Sequence, residues 1–280
     1  MRKKILILYE KSKKIGMGHY HRCLRLKELL KEEYNVKLSN LVKKRKISYL
    51  SKSFDLTILD LKTYPNIKTS NKIIIFEDLH KKNKNILSIN PLDIYIKNSG
   101  PDYFIFPKRI DNIKYNFDKK KRINILFLQG AKDSNNQLNK LINYVLRNNK
   151  KINFRFKIIS KKFNGSNLFK NIKILNFYKN PCNIYKNIQI AISSVGNSSF
   201  ELGRIGVPTI HHTIERREIK RAKIFEKLNI GIFINNNLKK IINELNRIYF
   251  DDNYRKKLIK TRKVFFKKKN KLLEIIKNEI

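Results

Sequence analysis

The segment Lys13–Arg22 carries the side chains best suited to chemistry, and it lies between an apolar run and a helical pattern. It contains Gly16, Gly18, His19 and Arg22. Where a strand ends and a helix begins, backbone N–H groups and the helix dipole favour an anion, and glycine lets the backbone approach a ligand closely. His19 and Arg22 are three residues apart and so share one helix face. The spacing predicts a titratable base and a fixed positive charge beside an anion site; the alternative is an ordinary turn followed by a helix-capping histidine.

A second turn with similar potential follows the apolar run Ile123–Leu128. It consists of Gln129-Gly130-Ala131-Lys132-Asp133. Its backbone N–H groups could cradle a phosphate, with Gly130 allowing the close approach. A tight turn that binds nothing explains Gly130 equally well, so both interpretations stay open.

A third polar loop, Ser193–Glu201, leads into a short helical pattern. The backbone amides of Asn197, Ser198 and Ser199 at the start of that helix suit a diphosphate. The carboxylate of Glu201, one turn further along, suits the diol of a ribose. The alternative is an ordinary helix N-cap made by Asn197 or Ser198.

Acidic side chains end two apolar runs in the N-terminal half. Asp60 ends the first, and Glu77 with Asp78 ends the second. Parallel sheets bind ligands at the carboxyl ends of their strands, so we expect Asp60 to contact a substrate; solvated strand ends are the alternative. His211 and His212 also follow an apolar run, but packing explains them more simply. The histidines and cysteines lack the spacing of a metal site, and we expect neither a metal nor a cofactor.

Apolar runs alternate with helical patterns along the whole chain, which predicts an α/β protein. Continuously apolar strands separated by helices are typical of parallel sheets covered on both faces. The pattern starts again after the basic segment Asp111–Arg122, so we predict two doubly wound, Rossmann-like lobes facing a cleft, residues 1–117 and 118–280. The expected strands are Ile5–Tyr9, Asn35–Leu41, Phe54–Asp60, Lys72–Asp78, Asp93–Ile96, Ile123–Leu128, Phe154–Ile159, Ile172–Phe177, Ile188–Ile192, Thr209–His211 and Gly231–Ile234. The helices within Leu238–Ile280 either cap the second lobe or cross back to the first.

The net charge is strongly positive. The 280 residues include 64 Lys and Arg against 22 Asp and Glu, a formal charge of +42, which suggests nucleic acid or an anionic membrane as a partner. Lysine is nevertheless spread through every segment together with Ile and Asn, which share A/T-rich codons, and the chain has no basic arm, RNA-binding aromatic motif or zinc finger. We therefore expect no specific nucleic-acid binding, and only weak, salt-dependent adhesion to polyanions or a membrane surface.

The sequence predicts neither a membrane span nor a secretion signal. No apolar stretch approaches the roughly 20 residues that a span requires. Ile5–Tyr9 is too short for the apolar core of a signal peptide. Cys23 and Cys182 show no pairing or metal spacing, which indicates reduced packing residues. We expect a cytoplasmic monomer.

Together these residues resemble the UDP-sugar hydrolase family of pseudaminic acid biosynthesis, which acts on UDP-2,4-diacetamido-2,4,6-trideoxy-β-L-altropyranose. The resemblance covers roughly residues 5 to 235. The family motif G-x-G-H-x-x-R is met by Gly16, Gly18, His19 and Arg22. Further matches are D-L-x-I-x-D at Asp55–Asp60, the acidic pair Glu77-Asp78, G-x-x-Y at Gly100–Tyr103, and E-L-x-x-x-G-x-P-x-I at Glu201–Ile210.

The resemblance implies a GT-B-like fold and a hydrolytic reaction. His19 would act as general base on a water that attacks C1 of the UDP-linked sugar, since imidazole side chains titrate near neutral pH. The charge of the leaving UDP would be met by backbone amides. The implied substrate-binding residues are Gly16, Gly18, Arg22, Asp60, Tyr103, Gly130, Asn197, Ser198, Ser199 and Glu201.

Two positions depart from the family pattern. Asp60 is followed by Leu61-Lys62 where the family carries Asp-His-Tyr, and Gln129 replaces the first glycine of the phosphate turn. Either change indicates a different sugar or a different reaction. Spore-coat polysaccharide proteins and MurG-type glycosyltransferases share the Glu201–Pro208 pattern, so a glycosyltransferase in which His19 activates an acceptor hydroxyl is the first alternative. A non-catalytic polyanion-binding protein on a GT-B scaffold is the second.

Overall fold

A computed structural model describes residues 1–10, 18–41, 46–64, 67, 70–77, 85–119, 121–128, 137–148, 152–159, 172–175, 181–213, 216–235, 237–267 and 270–280. The chain divides into two compact units: unit 1 is Met1–Phe106 with Lys268–Ile280, and unit 2 is Pro107–Lys267. The first boundary thus lies at residue 106 instead of the expected 117. The reason is that the basic segment is not a free linker: Tyr115 donates a hydrogen bond to the carbonyl of Gln189 (2.9 Å), and Asp111 pairs with Arg204 (2.7 Å).

Unit 1 is built on a five-stranded parallel sheet in the order β2-β1-β3-β4-β5. The strands are β1 (Lys4–Tyr9), β2 (Asn35–Asn40), β3 (Leu56–Asp60), β4 (Lys72–Phe76) and β5 (Ile86–Ile89), and the intervening helices include α1 (Gly18–Leu30) and α2 (Ile47–Ser51). Successive side chains of a strand point to opposite faces. Accordingly Ile5 and Ile7 pack in the core that contains Leu26 of α1, whereas Leu6 and Leu8 pack in the core on the other face.

The prediction of a strand at Asp93–Ile96 is wrong. The fifth strand of the sheet is β5, which lies earlier in the chain, at Ile86–Ile89. Residues 90–100 instead form a hydrogen-bonded loop. The carbonyl of Asn90 accepts bonds from the amides of Asp93 (3.1 Å) and Gly100 (3.3 Å), and the amide of Asn90 donates to Asn98 (2.9 Å). These local bonds satisfy backbone groups that a strand would pair with a neighbour.

Unit 2 contains a six-stranded parallel sheet in the order β11-β10-β9-β6-β7-β8. Its strands are β6 (Ile123–Leu128), β7 (Phe154–Ile159), β8 (Ile172–Ile174), β9 (Ile190–Ser193), β10 (Thr209–His212) and β11 (Ile232–Ile234). Its helices are α3 (Gln137–Asn148), α4 (Cys182–Tyr185), α5 (Asn197–Ile205), α6 (Arg216–Lys227), α7 (Leu238–Phe250) and α8 (Asp252–Phe266). The predicted pair of parallel-sheet, Rossmann-like lobes is confirmed.

The last helix, α9 (Lys271–Glu279), returns to unit 1. Its Leu272 and Ile276 are fully buried in the same core as Ile5 and Leu26. Glu279 pairs with Lys72 of β4 at 3.0 Å. This selects one of the two arrangements that the sequence left open. Among the described helices, each is too short or too polar to traverse a bilayer.

Each sheet has one point where the strand order reverses direction. In unit 1 it lies between β1 and β3, where Tyr9 pairs with Asp60. In unit 2 it lies between β6 and β9, where Leu128 pairs with Ser193. Open α/β sheets bind ligands beyond the carboxyl ends of their strands at such points. The turns that the sequence singled out follow β1, β6 and β9.

Candidate active site

The carboxylate of Asp60 and the imidazole of His19 form a close pair in unit 1. Asp60 ends β3, and His19 is the second residue of α1, which follows β1. Because β1 and β3 are neighbours, the two residues meet although 41 positions separate them, and Nδ1 of His19 lies 2.5 Å from Oδ1 of Asp60. The Asp60 side chain is fully buried, whereas that of His19 is 21% exposed. The imidazole of His19 is therefore partly accessible to solvent, whereas the charged carboxylate of Asp60 lies in the interior.

Arg22 holds the same carboxylate from one helical turn further along α1. Its Nε lies 2.7 Å from Oδ2 of Asp60 and its Nη2 lies 2.7 Å from Oδ1, a two-point arrangement that fixes the carboxylate plane. Its Nη1 also lies 3.5 Å from Oε1 of Glu77, and its guanidinium lies over the ring of Phe76. The shared helix face predicted for His19 and Arg22 is confirmed, because both side chains contact Asp60.

The contacts of Asp60 and Arg22 give both side chains a structural role beside the expected one. Both oxygens of Asp60 accept from Arg22, Oδ1 also contacts His19, and Oδ2 also lies 3.6 Å from the sulfur of Cys23. The Arg22 side chain is only 5% exposed. Each side chain is largely enclosed by the other and by the core, and their substrate contacts stay predictions. Their geometry suits positioning of His19.

The Asp60 carboxylate is ionised across the ordinary pH range. Burial by itself would raise the pKa of Asp60, but the charge and hydrogen bonds of Arg22, together with His19, hold that pKa well below its usual value. Burial likewise opposes the charge of Arg22, yet Asp60 raises the pKa of Arg22 above its usual value. An ionised carboxylate only accepts hydrogen bonds, so Nδ1 of His19 carries the proton in the neutral imidazole. The lone pair then lies on Nε2.

Two further residues brace the ends of β3 and β4. Glu77 has a left-handed backbone (φ 63°), and its carboxylate accepts from the amide of Leu92 (3.0 Å) as well as lying near Arg22. The hydroxyl of Tyr64 lies within hydrogen-bond distance of the carbonyls of Leu59 (3.2 Å) and Phe76. Sequence analysis placed Glu77 at a strand end but did not find Tyr64, because no local pattern shows that its ring bridges two strands.

The remaining candidates of unit 1 are placed less directly. Gly18 begins α1 and is exposed, and Gly16 lies outside the described residues. Tyr103, in a short 3₁₀ turn, is half-buried and packs against the core that contains Leu272. No contact in the described part of unit 1 joins Tyr103 to His19, so its substrate contact stays a prediction.

In unit 2, α5 begins directly beyond the carboxyl end of β9. Its N-cap residue is Gly196, which has no side chain to cap the helix, and Asn197 and Ser198 form its half-exposed first residues. The alternative of an N-cap made by Asn197 or Ser198 is therefore wrong. Ser193, at the end of β9, is fully buried, and its hydroxyl has no hydrogen-bond partner in the described part of the chain. The predicted phosphate turn containing Gly130 lies outside the described residues.

Ser199 and Glu201 face the interior of unit 2. The hydroxyl of Tyr185 lies 2.5 Å from Oε2 of Glu201, and Glu201 is only 2% exposed. Ser199 is fully buried, with its hydroxyl 3.4 Å from Nε2 of His211. One oxygen of the Glu201 carboxylate already accepts a hydrogen bond from Tyr185. The contact of Glu201 with a ribose stays a prediction.

A buried arginine that sequence analysis missed supports the start of α5. Arg262 of α8 is fully buried and donates to the carbonyls of Ser199 (3.2 Å) and Ile230. Burial lowers the pKa of Arg262 to about 9. Burial and the nearby Arg262 charge lower the pKa of His211 to about 3, which makes this histidine neutral. The interpretation of His211 as a packing residue is consistent with its complete burial.

Comparisons of the fold with solved structures find glycosyltransferases. No family model matches the chain, and a search of curated proteins finds no match. The calicheamicin glycosyltransferase CalG4 superposes with a TM-score of 0.70 at 8% identity, over 100% of this chain and 98% of that chain. The spinosyn rhamnosyltransferase SpnG complexed with thymidine diphosphate has a TM-score of 0.67 at 9% identity over 100% of both chains. SnogD from Streptomyces nogalater has a TM-score of 0.63 at 10% identity, over 99% of this chain and 100% of that chain. At these identities the likeness establishes the fold, which is GT-B-like.

Proposed function

We propose that this protein transfers a sugar from a nucleoside diphosphate donor to a hydroxyl group of an acceptor. The observation that carries the proposal is the buried Asp60 carboxylate, which binds Nδ1 of His19 and leaves Nε2 on the partly exposed side of the ring. The fold adds support, since its structural neighbours include the rhamnosyltransferase SpnG in two complexes, one with thymidine diphosphate and one with spinosyn aglycone.

In this reaction Nε2 of His19 accepts the proton of the acceptor hydroxyl. The acceptor oxygen forms a bond to C1 of the sugar while the bond from C1 to the diphosphate oxygen breaks, and the nucleoside diphosphate leaves with the electron pair. The imidazolium that results is stabilised by the ionised Asp60, which Arg22 keeps deprotonated. A general base of this kind contributes roughly 100- to 10,000-fold in rate.

Unit 2 would supply the groups that bind the nucleotide. The start of α5 combines the positive end of a helix dipole with the half-exposed Asn197 and Ser198. These groups suit the two phosphates, and we propose uridine diphosphate as the nucleotide, on the resemblance stated above.

The substitution His19→Ala tests the role of the base. We expect it to lower kcat by roughly 100- to 10,000-fold while the dissociation constant of the nucleoside diphosphate stays close to that of the wild type. His21→Ala is the matched control, because His21 lies on the same helix and its ring contacts Tyr20 at 5.4 Å between centroids. Wild-type turnover by the His19→Ala protein would refute the proposal.

Hydrolysis is the second candidate, and the G-x-G-H-x-x-R pattern from Gly16 to Arg22 favours it. The same imidazole would take its proton from water, and the substrate would be the UDP-linked diacetamido-trideoxy sugar of pseudaminic acid biosynthesis. Incubation with UDP-sugars separates the two reactions: a hydrolase releases UDP without an acceptor, and a transferase needs one. If neither the UDP-sugar nor the acceptor is consumed, the third interpretation is favoured, a polyanion-binding protein without catalysis.

A further inference from the structure

Helix α8 presents a row of lysines to solvent. Its buried face consists of Arg255, Leu258, Arg262 and Phe266. The opposite face carries five exposed lysines over about 16 Å of helix, at the rise of about 1.5 Å per residue. These lysines are Lys256, Lys257, Lys260, Lys263 and Lys267.

These five lysines carry uncompensated charge. None of them pairs with an acid in the described part of the chain. The single acid within α8 is Asp252 at its first position, and it already pairs with Lys119 (2.5 Å) and Arg255 (2.7 Å). By contrast, α6 presents the exposed Glu226 beside its lysines. The α8 face therefore offers an anionic partner a denser positive charge than the α6 face does.

The side chains on this face suit a lipid surface better than a nucleic acid. Val264 lies within the row and is 65% exposed, so an apolar group accompanies the cations. The row contains no arginine for bidentate contacts with bases and no exposed aromatic ring for stacking. Clusters of four to eight lysines on an amphipathic helix are typical of contacts with anionic phospholipids.

We propose that the exposed face of α8 docks on the surface of a bilayer that contains anionic phospholipids. The lysines contact the headgroups, and Val264 enters the boundary between headgroups and acyl chains. This placement would hold the protein at a membrane surface. The proposal is independent of the reaction at His19.

Co-sedimentation with lipid vesicles tests the proposal. The probes are vesicles of phosphatidylcholine mixed with phosphatidylserine, and vesicles of phosphatidylcholine alone. We expect the full-length protein to bind only the first. The variant Lys256→Gln, Lys260→Gln, Lys267→Gln removes three charges and should bind on the order of 100-fold more weakly, at about fivefold per lysine near an anionic surface.

The matched control is Lys220→Gln, Lys223→Gln, Lys227→Gln on the exposed face of α6, which removes the same charge. It should bind within a few-fold of the wild type. Equal loss in both variants would show adsorption driven by net charge and would overturn the proposal. Absence of vesicle binding by the wild type would overturn it as well. A third contrary result would be an α8 variant that loses more affinity for duplex DNA or RNA than for vesicles. Thermal unfolding of each variant confirms that it is folded.

Discussion

At the scale of single residues, Asp60 connects the proposed base to the rest of unit 1. It is fully buried, its negative charge is balanced by Arg22, and the His19 imidazole binds the same carboxylate. Buried ion pairs add little net stability when complete, but losing one partner leaves an uncompensated charge in the interior. The site thus depends on the pair being intact, both for the orientation of the imidazole and for the fold around it.

The substitution Asp60→Asn is therefore expected to act twice. It should lower kcat at least 100-fold, because the imidazole loses the group that fixes its tautomer. It should also lower the free energy of unfolding by about 3–5 kcal/mol, since the buried Arg22 guanidinium keeps only the more distant Glu77 as an acidic partner among the described residues. Steady-state kinetics and urea denaturation measure the two effects. The double variant Asp60→Asn, Arg22→Met should regain part of the stability but none of the activity. If the Asp60→Asn protein were as stable as the wild type, this account would be contradicted.

His211 makes the stability of the protein depend on pH. In the folded chain the pKa of His211 is about 3, because burial and Arg262 disfavour its charge. In the unfolded chain a histidine titrates near about 6.5. Below that pH the unfolded chain binds a proton that the folded chain does not, so folded-state stability falls as the pH is lowered from about 6.5 towards 3, by up to about 1.4 kcal/mol per pH unit.

Urea denaturation of the wild type and of His211→Asn between pH 7 and pH 4 measures this contribution. Asparagine does not titrate, so the curve of the variant should be flatter below about pH 6.5 by the slope given above. The variant is expected to be less stable at pH 7, because a smaller side chain leaves space beside Phe225 and Gly231. Parallel curves for the two proteins would mean that His211 does not cause the dependence.

At the scale of elements, the close packing of α5 on α8 positions the helix start that we assign to the nucleotide. A methyl group at Gly203 would lie 2.3 Å from ring carbons of Phe266, so only glycine fits at this crossing. Gly206 ends α5 with φ +89°, a left-handed conformation that glycine adopts without strain. The same contact holds Arg262 where it reaches the carbonyl of Ser199.

The substitution Gly203→Ala is expected to lower the free energy of unfolding by about 1–3 kcal/mol, because the added methyl group overpacks the interface. Adding Phe266→Leu creates room for that methyl group. The double variant should therefore lose less stability than the sum of the two single variants, which urea denaturation of all four proteins measures. Additive losses would show that the ring of Phe266 is not the obstacle.

Prediction of the elements succeeded where the pattern is local and long. The strand ahead of His19 and the helix that carries it follow from apolar periodicity alone. Ile86–Ile89 was missed because the polar Ser88 interrupts its apolar run. Asp93–Ile96 has a similar composition, but the bonds around Asn90 turn it into a loop.

At the scale of the whole molecule, the chain completes unit 1 with its own C-terminus. Leu272 and Ile276 of α9 fill the core that β1 and α1 began, more than two hundred residues earlier. Folding of unit 1 thus requires a segment that is synthesised after all of unit 2.

The substitution Leu272→Ala should therefore destabilise unit 1, by about 2–5 kcal/mol, through the cavity that it leaves. Hydrogen exchange read out by peptide should show faster exchange in β1 and α1, with β6 and β9 little changed. Leu258→Ala, a truncation in the core of unit 2, is the matched control and should give the reverse pattern. Faster exchange in unit 2 alone for Leu272→Ala would contradict the division of the chain.

The sequence by itself determined the class of the fold, the position of His19 at the start of a helix, and its common face with Arg22. Those features depend on the period of apolar residues and on spacings of three or four, which are local properties of the chain. Only the tertiary structure decided that Asp60 lies against His19 and Arg22, that Glu201 lies against Tyr185, and that α9 belongs to unit 1. These contacts depend on which strands become neighbours and which face of a helix is buried, and cores formed from distant segments set both.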